Sequence, residues 1–191
     1  MAIVRAYRDP RGAMAAAIAA GPSEARALAE LMGACGLLFL ASLPTALRTA
    51  GRLGIEDAVP AAIAAHLFGY FCLLPLIAYG LAALVHLAAR AFGGRGGWLA
   101  ARAAIFRAAF LGAPIAGVLA LAGTAAGGGR LPWVTWLGYA GLAFWLWLLA
   151  ASLAEAEGFT ATGRVAAVLG AGVAGVAAVV LLATGGPAAT D

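Results

Sequence analysis

The chain has 191 residues, of which 64% are hydrophobic and only 10% are charged. A soluble domain is about half apolar and about a quarter charged, so this composition excludes an ordinary water-soluble globular fold. The formal net charge is +4, and every basic residue is an arginine. These arginines are scattered along the chain, which argues against a nucleic-acid-binding surface. Abundant alanine and arginine without lysine is typical of a GC-rich bacterial genome.

The N-terminal part, residues 1–24, is predicted to be a short cytoplasmic segment. Asp9-Pro10 is a plausible helix start, because proline is tolerated in the first turn of a helix. Two interpretations of Arg11–Ala20 stay open: an amphipathic helix lying on the membrane surface, or a frayed tail. Its apolar part is too short for a cleavable signal peptide. Ser23 is predicted to cap the helix that follows.

Five apolar stretches then follow, each long enough to cross a bilayer. A hydrocarbon core about 30 Å thick needs about 20 apolar residues in a helix, and backbone groups inside lipid must bond within the chain. The stretches are Ala27–Leu47, Pro60–Ala89, Ala103–Ala122, Trp133–Leu153 and Val165–Ala183. The predicted fold class is all-α: a five-helix membrane domain at residues 25–184, followed by a short tail at 185–191.

Two of these stretches contain an internal proline. Pro60–Ala89 would measure about 45 Å as a straight helix at about 1.5 Å per residue, which exceeds the hydrocarbon core. A kink is predicted at Pro75 and a second one at Pro114, because proline removes a helical hydrogen bond. The glycine-rich connector Phe92–Trp98 is predicted to be the most flexible loop, with Trp98 in an interfacial aromatic belt.

The fifth stretch carries small residues four positions apart, which lets two helices approach closely. The pairs are Gly170 with Ala174 and Ala171 with Gly175. They predict a packing seam, either within the chain or between protomers.

Arginine placement predicts the orientation, because basic residues near span ends resist translocation. A cytoplasmic N-terminus puts nine arginines in the cytoplasm and three, Arg48, Arg52 and Arg130, on the far side. Five spans then place the C-terminus across the membrane. We expect the protein in a bacterial inner membrane.

Ionisable residues inside a membrane are the usual functional candidates. Glu30 is predicted to reach the headgroups or to pair with Arg26, which is one helical turn earlier. His66 and His86 are predicted to be separate interfacial residues, because twenty residues of helix span about 30 Å.

The sequence offers little chemistry for catalysis. Glu155 and Glu157 are predicted to lie in the cytoplasmic loop after the fourth stretch. Cys35 and Cys72 are predicted to be small buried packing residues, and no spacing of cysteine and histidine suggests a metal. No nucleophile elbow, P-loop, HExxH or CxxC motif is present. We therefore expect neither an enzyme nor a cofactor.

Short motifs along most of the chain resemble the Yip (Ypt-interacting protein) domain family, in a bacterial form. They are Tyr7-Arg8-Asp9-Pro10, Phe92-Gly93-Gly94 after the second stretch, Ala101-Arg102-Ala103 leading to Pro114, and Glu155-Ala156-Glu157-Gly158-Phe159. The resemblance implies five membrane helices, a cytoplasmic N-terminus and a short tail across the membrane. It implies no established activity.

Two functional hypotheses follow. The first is a non-enzymatic membrane scaffold or accessory subunit, whose partners are the lipid bilayer and other membrane proteins or a second copy. The second is a small transporter or lipid-handling protein, in which two kinked helices open a path beside His66 or Glu30. The candidate partner or pathway residues are Glu30, His66, Pro75, Pro114, Trp98, Glu155 and Glu157.

Overall fold

A computed structural model describes residues 2–125 and 132–183, and these residues are almost entirely helical. No β-strand occurs in this part of the chain, which confirms the predicted all-α class. The helices are α1 (Ala2–Arg8), α2 (Pro10–Ala19), α3 (Glu24–Leu53), α4 (Ala58–Phe68), α5 (Leu74–Ala91), α6 (Trp98–Ala125), α7 (Pro132–Glu157) and α8 (Thr162–Ala183). Arg130 and the 185–191 tail lie outside the described residues.

Five long apolar helices define the architecture. They are α3, the continuous α4–α5 unit, α6, α7 and α8, and each has a mean hydropathy between 1.7 and 2.1 over its most apolar part. Each is long enough to cross a membrane, so the chain is an integral membrane protein of the polytopic all-α class. The first four extend beyond the predicted apolar stretches at both ends.

The predicted helix starts are confirmed by their caps. The Asp9 carboxylate accepts a hydrogen bond from the Gly12 N–H at 2.8 Å, directly before Pro10. The Ser23 hydroxyl oxygen accepts one from the Arg26 N–H at 3.3 Å, at the start of α3. These side chains satisfy N–H groups that have no partner inside the helix.

The N-terminal segment is two helices docked on the bundle, so the frayed-tail interpretation is wrong. Ala6 and Met14 are each only 1% exposed. The Tyr7 hydroxyl donates a hydrogen bond of 2.6 Å to the Leu111 carbonyl in α6, and its ring stacks on Phe144 in α7. Burial raises the pKa of Tyr7, which further favours the protonated hydroxyl that donates this hydrogen bond.

Directly before Pro75, where a kink is predicted, the regular α-helix is interrupted by a π-helical turn. Residues Gly69–Leu73 form this turn between α4 and α5, and the Leu74 N–H reaches back to the Gly69 carbonyl. The wider turn accommodates a proline that has no N–H to donate. The joined unit Ala58–Ala91 has 34 residues. Pro114 lies inside α6, which is α-helical on both sides of it.

Helix α6 is the centre of the bundle and packs against α3 and α7. Leu31, Cys35, Phe106 and Leu149 belong to the main core cluster. Cys35 is buried as predicted, whereas Cys72 in the π-helical turn is exposed, which corrects its prediction. Helix α8 lies at the edge of the bundle, and none of the residues in its most apolar part is buried against the rest of the described chain.

Candidate functional site: a buried histidine–glutamate pair

His86 and Glu157 form the most deeply buried pair of ionisable side chains in the described residues. His86 lies in the second half of α5, and Glu157 is the last residue of α7. The His86 Nδ1 and Glu157 Oε1 atoms are 2.6 Å apart, and the two side chains are 3% and 0% exposed. His86 is therefore buried inside the bundle, and the predicted placement of Glu155 and Glu157 in a loop is wrong, because both lie in α7.

The loop between α5 and α6 closes over this pair. The Gly96 N–H donates to Glu157 Oε2 at 3.2 Å, and the Arg95 N–H donates to the Glu157 backbone carbonyl at 2.9 Å. The Trp98 ring lies against the His86 ring with 4.3 Å between centroids. Trp98 is thus a contact of the buried pair as well as a half-exposed aromatic residue.

The glycines of this loop are explained by close packing. A Cβ atom at Gly94 would lie 2.9 Å from Glu157 Oε2, and one at Gly96 would lie 2.8 Å from the same oxygen. Gly93 has a φ of 88°, a conformation that side-chain-bearing residues rarely adopt. Gly94 and Gly96 therefore allow close packing around the carboxylate, whereas Gly93 allows the turn of the backbone.

The His86–Glu157 pair serves as a structural link between α5 and α7. Both Glu157 oxygens and the His86 Nδ1 already have partners within the chain. A buried polar group is stable only when its hydrogen-bonding atoms are satisfied, and a satisfied network fixes one arrangement of the surrounding elements. Among the described residues, no group of three or more His, Cys, Asp or Glu is arranged to hold a metal ion.

Arg11 makes a second link, between α2 and the α7–α8 connection. Its Nε lies 2.8 Å from Glu155 Oε2. Its Nη2 donates to the Phe159 carbonyl at 2.7 Å and its Nη1 to the Thr160 carbonyl at 3.1 Å. One side chain of the N-terminal segment thereby fixes both the end of α7 and the approach to α8.

Further charged pairs join α3 to α6 at the same end of the bundle. The Arg102 guanidinium lies 2.7 Å from Glu24 Oε2. The Arg107 Nη1 lies 3.6 Å from Glu30 Oε1. Glu30 thus forms an ion pair with Arg107 on the neighbouring helix, in addition to the predicted electrostatic interaction with Arg26.

His66 lies apart from these links. Its Nδ1 is 2.8 Å from the Ala62 carbonyl of its own helix. It lines a cavity of about 470 Å³ between α3 and α4, whereas Glu30 lines a different and much smaller cavity. The structure does not bring these two candidate pathway residues together.

The predicted packing seam on α8 is not used inside the described chain. Ala171, Ala174 and Gly175 are exposed, and Gly170 is half-buried. A Cβ atom added at Gly170 or Gly175 meets no described atom within 4 Å. The prediction that this seam packs within the chain is therefore wrong for the described residues, and the prediction that it packs between protomers stays open.

These features define the class as an all-α polytopic integral membrane protein, in which polar side-chain links concentrate at one end of the helix bundle. No family model, curated protein or solved structure matched the chain in comparisons with known proteins.

Proposed function

We propose that the protein is a non-enzymatic membrane scaffold or accessory subunit that binds another membrane helix through α8. The observation that carries this proposal is the exposure of α8 together with its small residues at Gly170, Ala171, Ala174 and Gly175. Membrane helices associate through faces of this kind, because small side chains let the backbones approach. The partner is another membrane protein or a second copy of the chain.

The polar network supports a structural role over a transport role. The links made by Arg11, His86 and Arg102 tie helices and loops to one another. Transporters place ionisable groups along a pathway near the bilayer midplane, where they remain available to substrate or ion. The charged pairs of this chain lie at one end of the bundle and are occupied by each other.

We further propose that the end of the bundle with these links faces the cytoplasm of a bacterium, in the inner membrane. The support is the arginine bias, nine residues against three, since basic residues resist translocation. The C-terminus then lies on the opposite side. The resemblance to the Yip domain family agrees with a membrane location and a cytoplasmic N-terminus, and it stays a prediction.

Replacing Gly175 by leucine is expected to weaken partner binding by about tenfold, because the side chain separates the two backbones at the seam. The control is Val176→Leu, at an exposed position about 100° or more around the helix from each of the four seam residues at about 100° per residue. Both variants are expressed in the native host and extracted in mild detergent, and the size of the complex is measured by light scattering.

The proposal predicts that wild type and Val176→Leu run as a complex, with the Gly175→Leu variant shifted to the free chain. A wild-type protein that is a lone monomer in this measurement would contradict it. So would a Gly175→Leu variant that stays fully assembled.

A further inference from the structure

A cleft of about 370 Å³ separates α5 from α8 at the end of the bundle with the polar links. Its apolar walls include Val85, Ala88 and Phe92 from the α5 side and Val165, Val168 and Leu169 from α8. Pockets that bind small molecules have volumes of about 300–1,000 Å³ and mostly apolar walls. The cleft has the size and character of such a site.

The buried pair lies next to this cleft along α5 and α7. Ala89 lies three residues after His86, and Leu153 lies four residues before Glu157, and both line the cleft. The hydrogen bond between His86 and Glu157 therefore fixes the part of α5 and the part of α7 that form its floor. Such a preformed site does not have to be ordered when a ligand enters.

The cleft has a basic rim. Arg164, in the first turn of α8, lines it and is exposed. Within the described chain its guanidinium has no hydrogen-bond or ion-pair partner, in contrast to the guanidinium groups of Arg11, Arg48, Arg102 and Arg107. No lining residue of the cleft is acidic. A free cation beside an apolar slot is complementary to a molecule with an anionic head and an apolar tail.

We propose that this cleft binds an anionic phospholipid, with an acyl chain between α5 and α8 and the phosphate at Arg164. The bilayer supplies such molecules at this depth, and anionic headgroups are attracted to arginine side chains at the membrane surface. A partner helix is about 10–12 Å across, too wide for this volume, whereas an acyl chain is far thinner. This inference does not depend on α8 binding a partner.

The test uses the full-length protein, purified in mild detergent and stripped of lipid, with binding measured by native mass spectrometry. Phosphatidylglycerol is expected to bind at least about fivefold more tightly than phosphatidylcholine, a factor that corresponds to one arginine–headgroup contact. The Arg164→Gln variant is expected to lose this preference. The control Arg90→Gln removes an exposed arginine of the same end that does not line the cleft, and is expected to keep the preference.

A second variant tests the apolar slot. Val168→Trp places an indole in the cleft and is expected to abolish binding of both lipids, whereas Val176→Trp, further along α8 and outside the cleft, is expected to keep it. Equal binding of the two lipids by wild type would overturn the proposal. It would also be overturned by full binding to Val168→Trp, or by displacement of the lipid by glycerol 3-phosphate alone. Unchanged unfolding midpoints of the variants show that each remains folded.

Discussion

Replacing Glu157 by alanine is expected to lower the free energy of unfolding by about 3–5 kcal/mol, the usual effect of removing one member of a buried pair. Its carboxylate is fully buried and bonded to His86 and to the Gly96 N–H. The substitution leaves the buried His86 ring and the partly buried Gly96 N–H without this partner and opens a cavity beneath the α5–α6 loop. The unpaired groups and the cavity both lower the free energy of unfolding.

The measurement is the unfolding transition of the purified protein in mixed micelles with increasing SDS. The matched control is Glu155→Gln, two residues earlier on the same helix, where the side chain is 29% exposed. A partly exposed pair is worth about 0–1 kcal/mol, so this variant is expected to unfold close to wild type. Equal midpoints for Glu157→Ala and wild type would show that the buried pair does not hold the bundle together.

The double variant His86→Leu with Glu157→Leu distinguishes the penalty for leaving one buried polar group unpaired from the stabilisation that the intact pair provides. Replacing both partners with apolar side chains removes the unpaired groups, and such replacements are often neutral or stabilising. We therefore expect the double variant to unfold later than Glu157→Ala, with the residual loss coming from the Gly96 N–H. A double variant less stable than Glu157→Ala would contradict the explanation that the unpaired His86 causes most of the loss in unfolding free energy.

Replacing Gly96 by alanine is expected to lower the free energy of unfolding by about 1–3 kcal/mol, the range for forcing an extra methyl group into a packed site. The added Cβ would lie 2.8 Å from Glu157 Oε2 and would also meet the Ala156 backbone carbonyl. Because a backbone atom cannot rotate away, the loop itself has to shift. That shift weakens the Gly96 hydrogen bond to Glu157.

The next residue provides a matched control for this prediction. A Cβ atom at Gly97 meets nothing within 4 Å, so Gly97→Ala is expected to be neutral or slightly stabilising. The same SDS unfolding experiment compares the two variants. If the Gly96 and Gly97 variants unfold together, then close packing of the loop on Glu157 is not what requires glycine at position 96.

The membrane helices were predictable because their signal is local. Twenty or so consecutive apolar residues need no knowledge of the rest of the fold, and Pro10 and Ser23 mark helix starts by local chemistry. The ends of the helices were less accessible to prediction. Glu155 and Glu157 are polar and end an apolar run, yet α7 continues through both because their side chains find partners across the bundle.

The candidate site was not predictable from the sequence because its contacts are long-range. His86 and Glu157 are 71 residues apart, and no periodicity relates them. For Glu30, the sequence predicted contact with the headgroups or with Arg26, but not the ion pair at 3.6 Å with Arg107 on a neighbouring helix. The four glycines at 93, 94, 96 and 97 indicated a flexible loop. Gly94 and Gly96 are instead required by the carboxylate packed against them, and Gly93 by its positive φ, which only the three-dimensional structure shows.

The most direct test of the account is the sidedness of the two loops that flank the α4–α5 unit. Glu56→Cys and Arg95→Cys are introduced separately into a chain in which Cys35 and Cys72 are replaced by alanine, and both positions are exposed. Intact cells are treated with a membrane-impermeant maleimide. The account predicts labelling at position 56 in intact cells and at position 95 only after permeabilisation. Labelling of both positions from the same side would contradict a membrane-spanning α4–α5 unit and the architecture built on it.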